Sequence, residues 1–392
     1  MSNAITRALA CTLAVLWPLL ALPACRRGGS STLYGMMEIF DMTNEFGWDV
    51  SEAIRLTGAL GAKSFRLVIN ADEVMRSPTE MKPERKDNFT RWIAELQAAG
   101  VTQIVGMSGT WFQPPGLDER ADYPWRRIMV PAIDDADGSD YRRFMETFEE
   151  TWYTLVSNFP QVTHWEMGNE TNHAEFLKPL GKDPSLRFTR EEHARISIDM
   201  MYYANRGIKR ANPGAVAVMP ALAPVRGIAD MAVDLDLMYA YIAQGYSLSG
   251  STDKRGYFDA LAWHPYVDGN GRPCRKWVRA NNEVYAVARE YGDDGVKVFF
   301  TEFGWPDGGG EARDRKQAKW FRIAYKYAEK CMPYVEAMHV YCLLEYAEIE
   351  GFTWGVFKVE NGRYAPKRQA YAIQSIFGGT GSLSPGKKGE SL

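Results

Sequence analysis

From about Leu33 to Phe377 the chain repeats one pattern eight times: a short apolar run of strand length, then a longer stretch with helical periodicity. The runs are Leu33–Ile39, Ser64–Asn70, Thr102–Ser108, His164–Glu170, Ala215–Leu222, Phe258–Tyr266, Lys297–Phe303 and Met338–Tyr346. The helical patterns are Val50–Leu60, Arg85–Ala99, Tyr141–Asn158, Arg190–Ala211, Met231–Gln244, Trp277–Tyr291, Arg313–Lys330 and Pro366–Phe377. Strict alternation implies parallel strands, because neighbours that run the same way must be joined by a crossover, and here the crossover is a helix. Eight repeats favour closure over an open sheet, so the sequence predicts an α/β protein, a single (β/α)8 TIM barrel with extended βα loops. The punctuation agrees. Gly61 and Gly100 follow the first two helical patterns, where a left-handed C-cap is favoured, and Thr189 precedes Arg190-Glu191-Glu192 as an N-cap.

The barrel is expected over 33–377. Its length beyond the ~250 residues typical of this fold falls mostly in two βα loops, Gly109–Asp140 and Thr171–Phe188. Before it, residues 1–25 read as an export leader: Arg7, an apolar stretch from Ala8 to Leu22, then small residues. Leu22-Pro23-Ala24-Cys25 also resembles a lipobox, so Cys25 is a candidate lipid-anchor site and the only expected route to a membrane. An exported location is expected: periplasmic, outer-membrane lipoprotein or secreted. Residues 26–32 read as a linker, and the Gly/Ser/Lys-rich 378–392 as a flexible tail with no accessory domain.

Composition enters mainly to exclude. A formal net charge of −3 gives no electrostatic case for a nucleic-acid partner. After the leader only Cys274, Cys331 and Cys342 remain, an odd count without C-x-x-C spacing, which reads as buried free thiols. The five histidines show no metal-ligand spacing, so no metal and no cofactor is expected, and the chain is expected to be a monomer.

In a (β/α)8 barrel the C-terminal ends of the strands converge on one open face. Glu170 closes the fourth run and Glu302 lies near the end of the seventh, so their carboxylates are placed to face each other across the mouth. Facing carboxylates are what acid/base-plus-nucleophile chemistry on a glycosidic bond requires. Glu166 shares the parity of Glu170 one layer deeper and reads as a buried hydrogen-bonding residue. The loop tryptophans Trp111, Trp305 and Trp354 are candidates for stacking on sugar faces. Glu38 on the first strand and Glu345 on the eighth are weaker binding candidates.

Asn169-Glu170 on strand four and Glu302 on strand seven resemble the pattern of clan A glycoside hydrolases. That resemblance implies a retaining glycosidase with Glu170 as general acid/base and Glu302 as nucleophile. It also implies that Asn169 binds the sugar 2-hydroxyl, that Arg66 hydrogen-bonds the nucleophile, and that His264 and Tyr266 border the −1 site. The detail is most similar to family 39, the β-xylosidase, α-iduronidase and exopolysaccharide glycanase group. The carrying residues are Trp165-Glu166, Gly168-Asn169-Glu170, Trp354-Gly355-Val356-Phe357, Asn361-Gly362, Ala365-Pro366-Lys367 and Ala370-Tyr371-Ala372. Glu345 stands where that pattern more usually has Asp, and family 5 shares the core motifs. The implied substrate is a β-linked oligo- or polysaccharide; a polysaccharide transglycosylase would use the same residues, whereas a non-catalytic sugar-binding barrel is disfavoured by the presence of both glutamates and Arg66.

Overall fold

A computed structural model describes residues 32–384 of the chain except 115, 117–127, 182, 184, 307–310, 346–348, 350–352 and 361–362. The expected leader 1–25 with Cys25, the linker up to residue 31, Asn361-Gly362 and the tail beyond 384 lie outside the described residues. The barrel strands are β1 (Leu33–Glu38), β2 (Ser64–Val68), β3 (Gln103–Met107), β4 (His164–Glu166), β5 (Val216–Val218), β6 (Ala260–Ala262), β7 (Lys297–Phe303) and β8 (Val335–Val340). Each pairs in parallel with its neighbours in the chain, and β8 pairs with β1, so the sheet closes. This is the (β/α)8 barrel that the alternation predicts.

Among the described residues, eight long helices surround it, besides two short ones at Phe40–Glu45 and Ala71–Val74: α1 (Val50–Leu60), α2 (Pro83–Ala98), α3 (Asp140–Asn158), α4 (Arg190–Ala211), α5 (Ile228–Ala243), α6 (Arg275–Glu290), α7 (Glu311–Cys331) and α8 (Arg368–Phe377). In α3 the buried Tyr141, Phe144, Met145, Phe148, Trp152 and Leu155 recur at helical spacing, one stripe against the barrel. Each such side chain contributes about 1.5–3 kcal/mol by leaving water. Thr189 and Glu192 form a complete capping box at the start of α4, and Gly61 ends α1 in the left-handed conformation at φ 87°.

The barrel interior is polar. Ser64 Oγ lies 2.8 Å from both Gln103 Oε1 and His339 Nε2, a hydrogen-bonded layer below the C-terminal ends of the strands. The His339 ring fits only because β1 offers Gly35 opposite it: a Cβ there would stand 2.4 Å from the ring.

The structure differs from expectation at several strand ends. The ladder of β4 stops at Glu166, because Gly168 (φ 138°) and Glu170 (φ 47°) leave extended geometry. β8 starts at Val335, three residues before the expected Met338, and the apolar run after it leaves the barrel for a small sheet of Leu344–Glu345, Phe357–Glu360 and Arg363–Pro366. The two long loops are not structureless: Ile128–Val130 and Leu177–Pro179 pair in parallel and tie them together. The start of the expected flexible tail is held. Arg55 donates to the carbonyls of Ser382 (2.8 Å) and Ser384 (3.1 Å), and Leu383 is buried. Of the cysteines expected as buried free thiols, Cys342 is buried and free and Cys331 is buried, but Cys274 is exposed. No helix among the described residues is long and apolar enough to cross a membrane.

Candidate active site

The site is organised around one buried cation. Arg66, on β2 and fully buried, donates from Nε to Glu166 Oε2 (2.5 Å), from Nη1 to Glu302 Oε1, and from Nη2 to Asn169 Oδ1 (2.8 Å). A buried guanidinium requires this many acceptors, and its planar fork fixes the three partners relative to one another. The burial that would discharge it is overcome by Glu166 and Glu302, and its pKa is raised.

Glu302 reaches the interior through a bulge. Phe300 of β7 pairs with Met338 of β8 and Phe303 with Val340, so three steps on one strand match two on the other. The extra residue re-aims the side chain, as bulges near active sites do. Tyr266 completes its hydrogen bonding, the hydroxyl donating to Glu302 Oε2 at 2.8 Å. Burial alone would raise the Glu302 pKa. The charges of His264 and Arg66, with hydrogen bonds from Tyr266 and Arg66, outweigh it, and the carboxyl is held below its ordinary value.

Glu170 comes from the irregular end of β4. Its own left-handed backbone, preceded by positive-φ Gly168, turns Asn169 toward Arg66 and Glu170 toward His264. Glu170 Oε1 is 2.7 Å from His264 Nδ1, and His264 Nε2 is 3.1 Å from Thr301 Oγ1, which donates to Glu166 Oε1 at 3.0 Å. Glu170, His264 and Glu302 each bring a polar atom within 4.8 Å of the others. Both oxygens of Glu302 already accept hydrogen bonds, and the Arg66 charge beside them disfavours a metal cation at this spot.

The six residues Arg66, Asn169, Glu170, His264, Tyr266 and Glu302, chosen from sequence, therefore meet in one hydrogen-bonded cluster. Trp354 borders it, partly exposed and edge-on to Tyr266, with ring centroids 5.3 Å apart. The other candidates are placed elsewhere. Trp111 is 6% exposed, its ring packed on Phe148 and Trp152, so its face serves the core beneath α3. Trp305 is 3% exposed among Phe303, Trp320 and Phe321, its Nε1 donating to the Gly271 carbonyl. Neither offers an open platform to a sugar. Glu38 is fully buried and accepts from the backbone N–H groups of Ile39 and Leu344, both at 2.8 Å, so it anchors the chain after β8. Glu345 is ion-paired with Lys367. Thr301 was not anticipated; its signal was a lone hydroxyl residue in the otherwise apolar Val298-Phe299-Phe300-Thr301. Tyr341, edge-on to Trp354 at 5.7 Å, was also missed.

Comparison with solved structures matches this barrel to glycosidases. A family 39 glycoside hydrolase from the gut symbiont Bacteroides cellulosilyticus WH2 superposes with TM-score 0.58 at 14% identity over 90% of this chain. The chain spans 64% of that protein's length. A variant of the Trichoderma harzianum β-glucosidase gives TM-score 0.61 at 15% identity, covering 90% of this chain and 99% of that one. The Thermotoga maritima β-glucosidase in complex with deoxynojirimycin gives 0.62 at 13% identity, covering 91% and 99%. At these identities the likeness establishes the shared fold. No protein-family model and no curated protein matches the chain.

Proposed function

We propose that the protein is a retaining β-glycoside hydrolase that acts on a β-linked oligo- or polysaccharide. The observation that carries this reading is the Glu170–Glu302 pair, with carboxylate oxygens within 4.8 Å in unlike surroundings. Retaining enzymes hold the two carboxyl groups ~5–5.5 Å apart, whereas inverting ones leave ~6.5–9.5 Å for a water. Glu302, kept ionised by Arg66, His264 and Tyr266, attacks the anomeric carbon, and Glu170 gives a proton to the departing oxygen. The glycosyl ester on Glu302 is then hydrolysed by a water whose proton returns to Glu170. The Asn169 amide nitrogen makes no hydrogen bond among the described residues and is available to a sugar hydroxyl. Similarity of fold to β-glucosidases and a family 39 enzyme supports the same class.

The test is covalent trapping. Incubation with 2-deoxy-2-fluoro β-glycosides bearing dinitrophenolate should leave one sugar on the peptide containing Glu302, read by mass spectrometry. A label elsewhere, or retention of near-full turnover by Glu302→Ala, overturns the assignment. Product analysis on β-linked oligosaccharides separates the rivals: chain lengthening marks a transglycosylase, and binding without turnover marks a sugar-binding barrel. Export belongs to the same proposal, with an exported enzyme meeting a glycan outside the cytoplasm. Cell fractionation and palmitate labelling of wild type against Cys25→Ser test it.

A further inference from the structure

His264 follows β6 with no exposed surface, and both ring nitrogens meet defined partners: Glu170 Oε1 at Nδ1 and Thr301 Oγ1 at Nε2. Thr301 has a single hydroxyl hydrogen, and it goes to Glu166 Oε1 at 3.0 Å. The other Glu166 oxygen is ion-paired with Arg66, so this carboxylate has only acceptors to offer. Were the hydroxyl turned toward His264 instead, two lone pairs would face each other in a buried interior, where an unmet acceptor costs most. The Thr301 oxygen therefore accepts, and Nε2 carries a hydrogen. At Nδ1 the 2.7 Å contact with a carboxylate oxygen needs a hydrogen as well. It belongs either to the ring, making it an imidazolium, or to a Glu170 carboxyl turned toward the ring and away from the cleft. Only the imidazolium leaves the second Glu170 oxygen free to hold a proton for a departing group.

We propose that Thr301 and Glu166 are positioning residues that hold His264 as an imidazolium, whose charge keeps Glu302 ionised and whose Nδ1–H aims Glu170. This inference deepens the glycosidase reading and rests on it. The charged groups around the ring agree. Glu302, whose Oε2 lies 3.7 Å from Nδ1, is the flanking anion, Glu170 Oε1 is the acceptor at Nδ1, and Arg66 on β2 is the opposing cation. Tyr266 directs its hydroxyl to Glu302, burial keeps the Tyr341 hydroxyl protonated, and His339 on β8 is held neutral. Burial works to discharge His264, but Glu302 and Glu170 outweigh it and its pKa is raised. The arrangement parallels the carboxylate that fixes a catalytic histidine's tautomer in hydrolytic triads, here acting through a hydroxyl.

The experiment follows kcat/KM against pH on a 2,4-dinitrophenyl β-glycoside that the wild-type enzyme turns over. That leaving group needs no proton, so the acid-side midpoint reports ionisation of Glu302. In Thr301→Val the imidazolium loses its Nε2 acceptor, and the midpoint should rise by about one pH unit; Thr301→Ser should restore it. A merely structural threonine would lower the rate without moving the midpoint, and an unmoved midpoint overturns the proposal. Should Thr301→Val fail to fold, nitrogen-15 NMR of wild type with labelled histidine decides, the His264 signals being assigned by their loss in His264→Asn. Two protonated ring nitrogens at pH 7 are expected, and a neutral ring in either tautomer overturns the relay. Failure of the glycosidase reading is distinguishable, because it appears as absent turnover of β-glycosides by wild type, or as full turnover by Glu302→Ala, whatever the state of the ring.

Discussion

Thr301 and Glu302 are neighbours in sequence, yet both side chains point into the barrel, one to Glu166 and His264, the other to Arg66 and Tyr266. On a regular strand adjacent residues face opposite sides. The bulge between Phe300 and Phe303 breaks that rule on β7, and the positive φ angles of Gly168 and Glu170 break it after β4. Both candidate catalytic carboxylates thus sit where strand alternation fails. Backbone geometry, as much as side-chain identity, should control activity.

Gly168→Ala tests this at one atom. A Cβ there would meet Thr171 and Pro220 at ordinary distances of 3.6 and 3.7 Å, so the substitution strains the backbone alone. We expect a stability loss of about 1–3 kcal/mol and a fall in kcat/KM of about 10²-fold as Asn169 and Glu170 shift. Urea unfolding and steady-state kinetics measure both; unchanged kinetics would show that the turn does not aim the acid.

Arg66→Leu should destabilise the fold by about 3–5 kcal/mol, because Glu166 and Glu302 would remain buried without their cation. Arg66→Lys should recover little, since one ammonium cannot reproduce a fork bonded to three partners. Chemical denaturation of the two variants distinguishes a fork from a simple charge.

The pH dependence of stability has opposing contributions. His339, buried against Ser64 and Phe300, has its pKa lowered to about 3 by burial and by the Arg66 charge. It therefore stabilises fully above its unfolded value of about 6.5, and that contribution is lost as pH falls from there toward 3. Glu302, also depressed, adds a loss in the same direction below about 4.3. His264 has the opposite sign: raised in the fold, its contribution is complete below about 6.5 and disappears as pH rises through the folded value. Urea midpoints at pH 7 and 4.5 should show a smaller acid loss in His339→Gln than in wild type.

Glu170→Ala should lose about 10²–10⁴-fold on glycosides with poor leaving groups, but much less on dinitrophenyl glycosides. Azide should accelerate its slow deglycosylation and give a β-glycosyl azide. An equal loss on both substrate types would remove Glu170 from the acid role.

Much of this protein was legible in its sequence. Eight alternating runs implied the barrel, because parallel strands need crossovers and eight of them close. Strand ends implied that Glu170 and Glu302 would face each other, because the fold itself gathers such positions at one face; the resemblance to clan A added Arg66, Asn169, His264 and Tyr266. Periodicity carries no information about what lies across the barrel. Trp111 and Trp305 look like free loop aromatics until α3 and α7 are packed beside them, and Glu38 looks like a ligand-facing acid until Leu344 donates to it. The relay from Glu166 through Thr301 to His264 joins residues 135 and 37 positions apart. Sequence alone determined the scaffold and which carboxylates face its mouth. The tertiary structure decided how they are aimed and charged, because a bulge, a positive φ and one shared guanidinium are properties of neighbours in space.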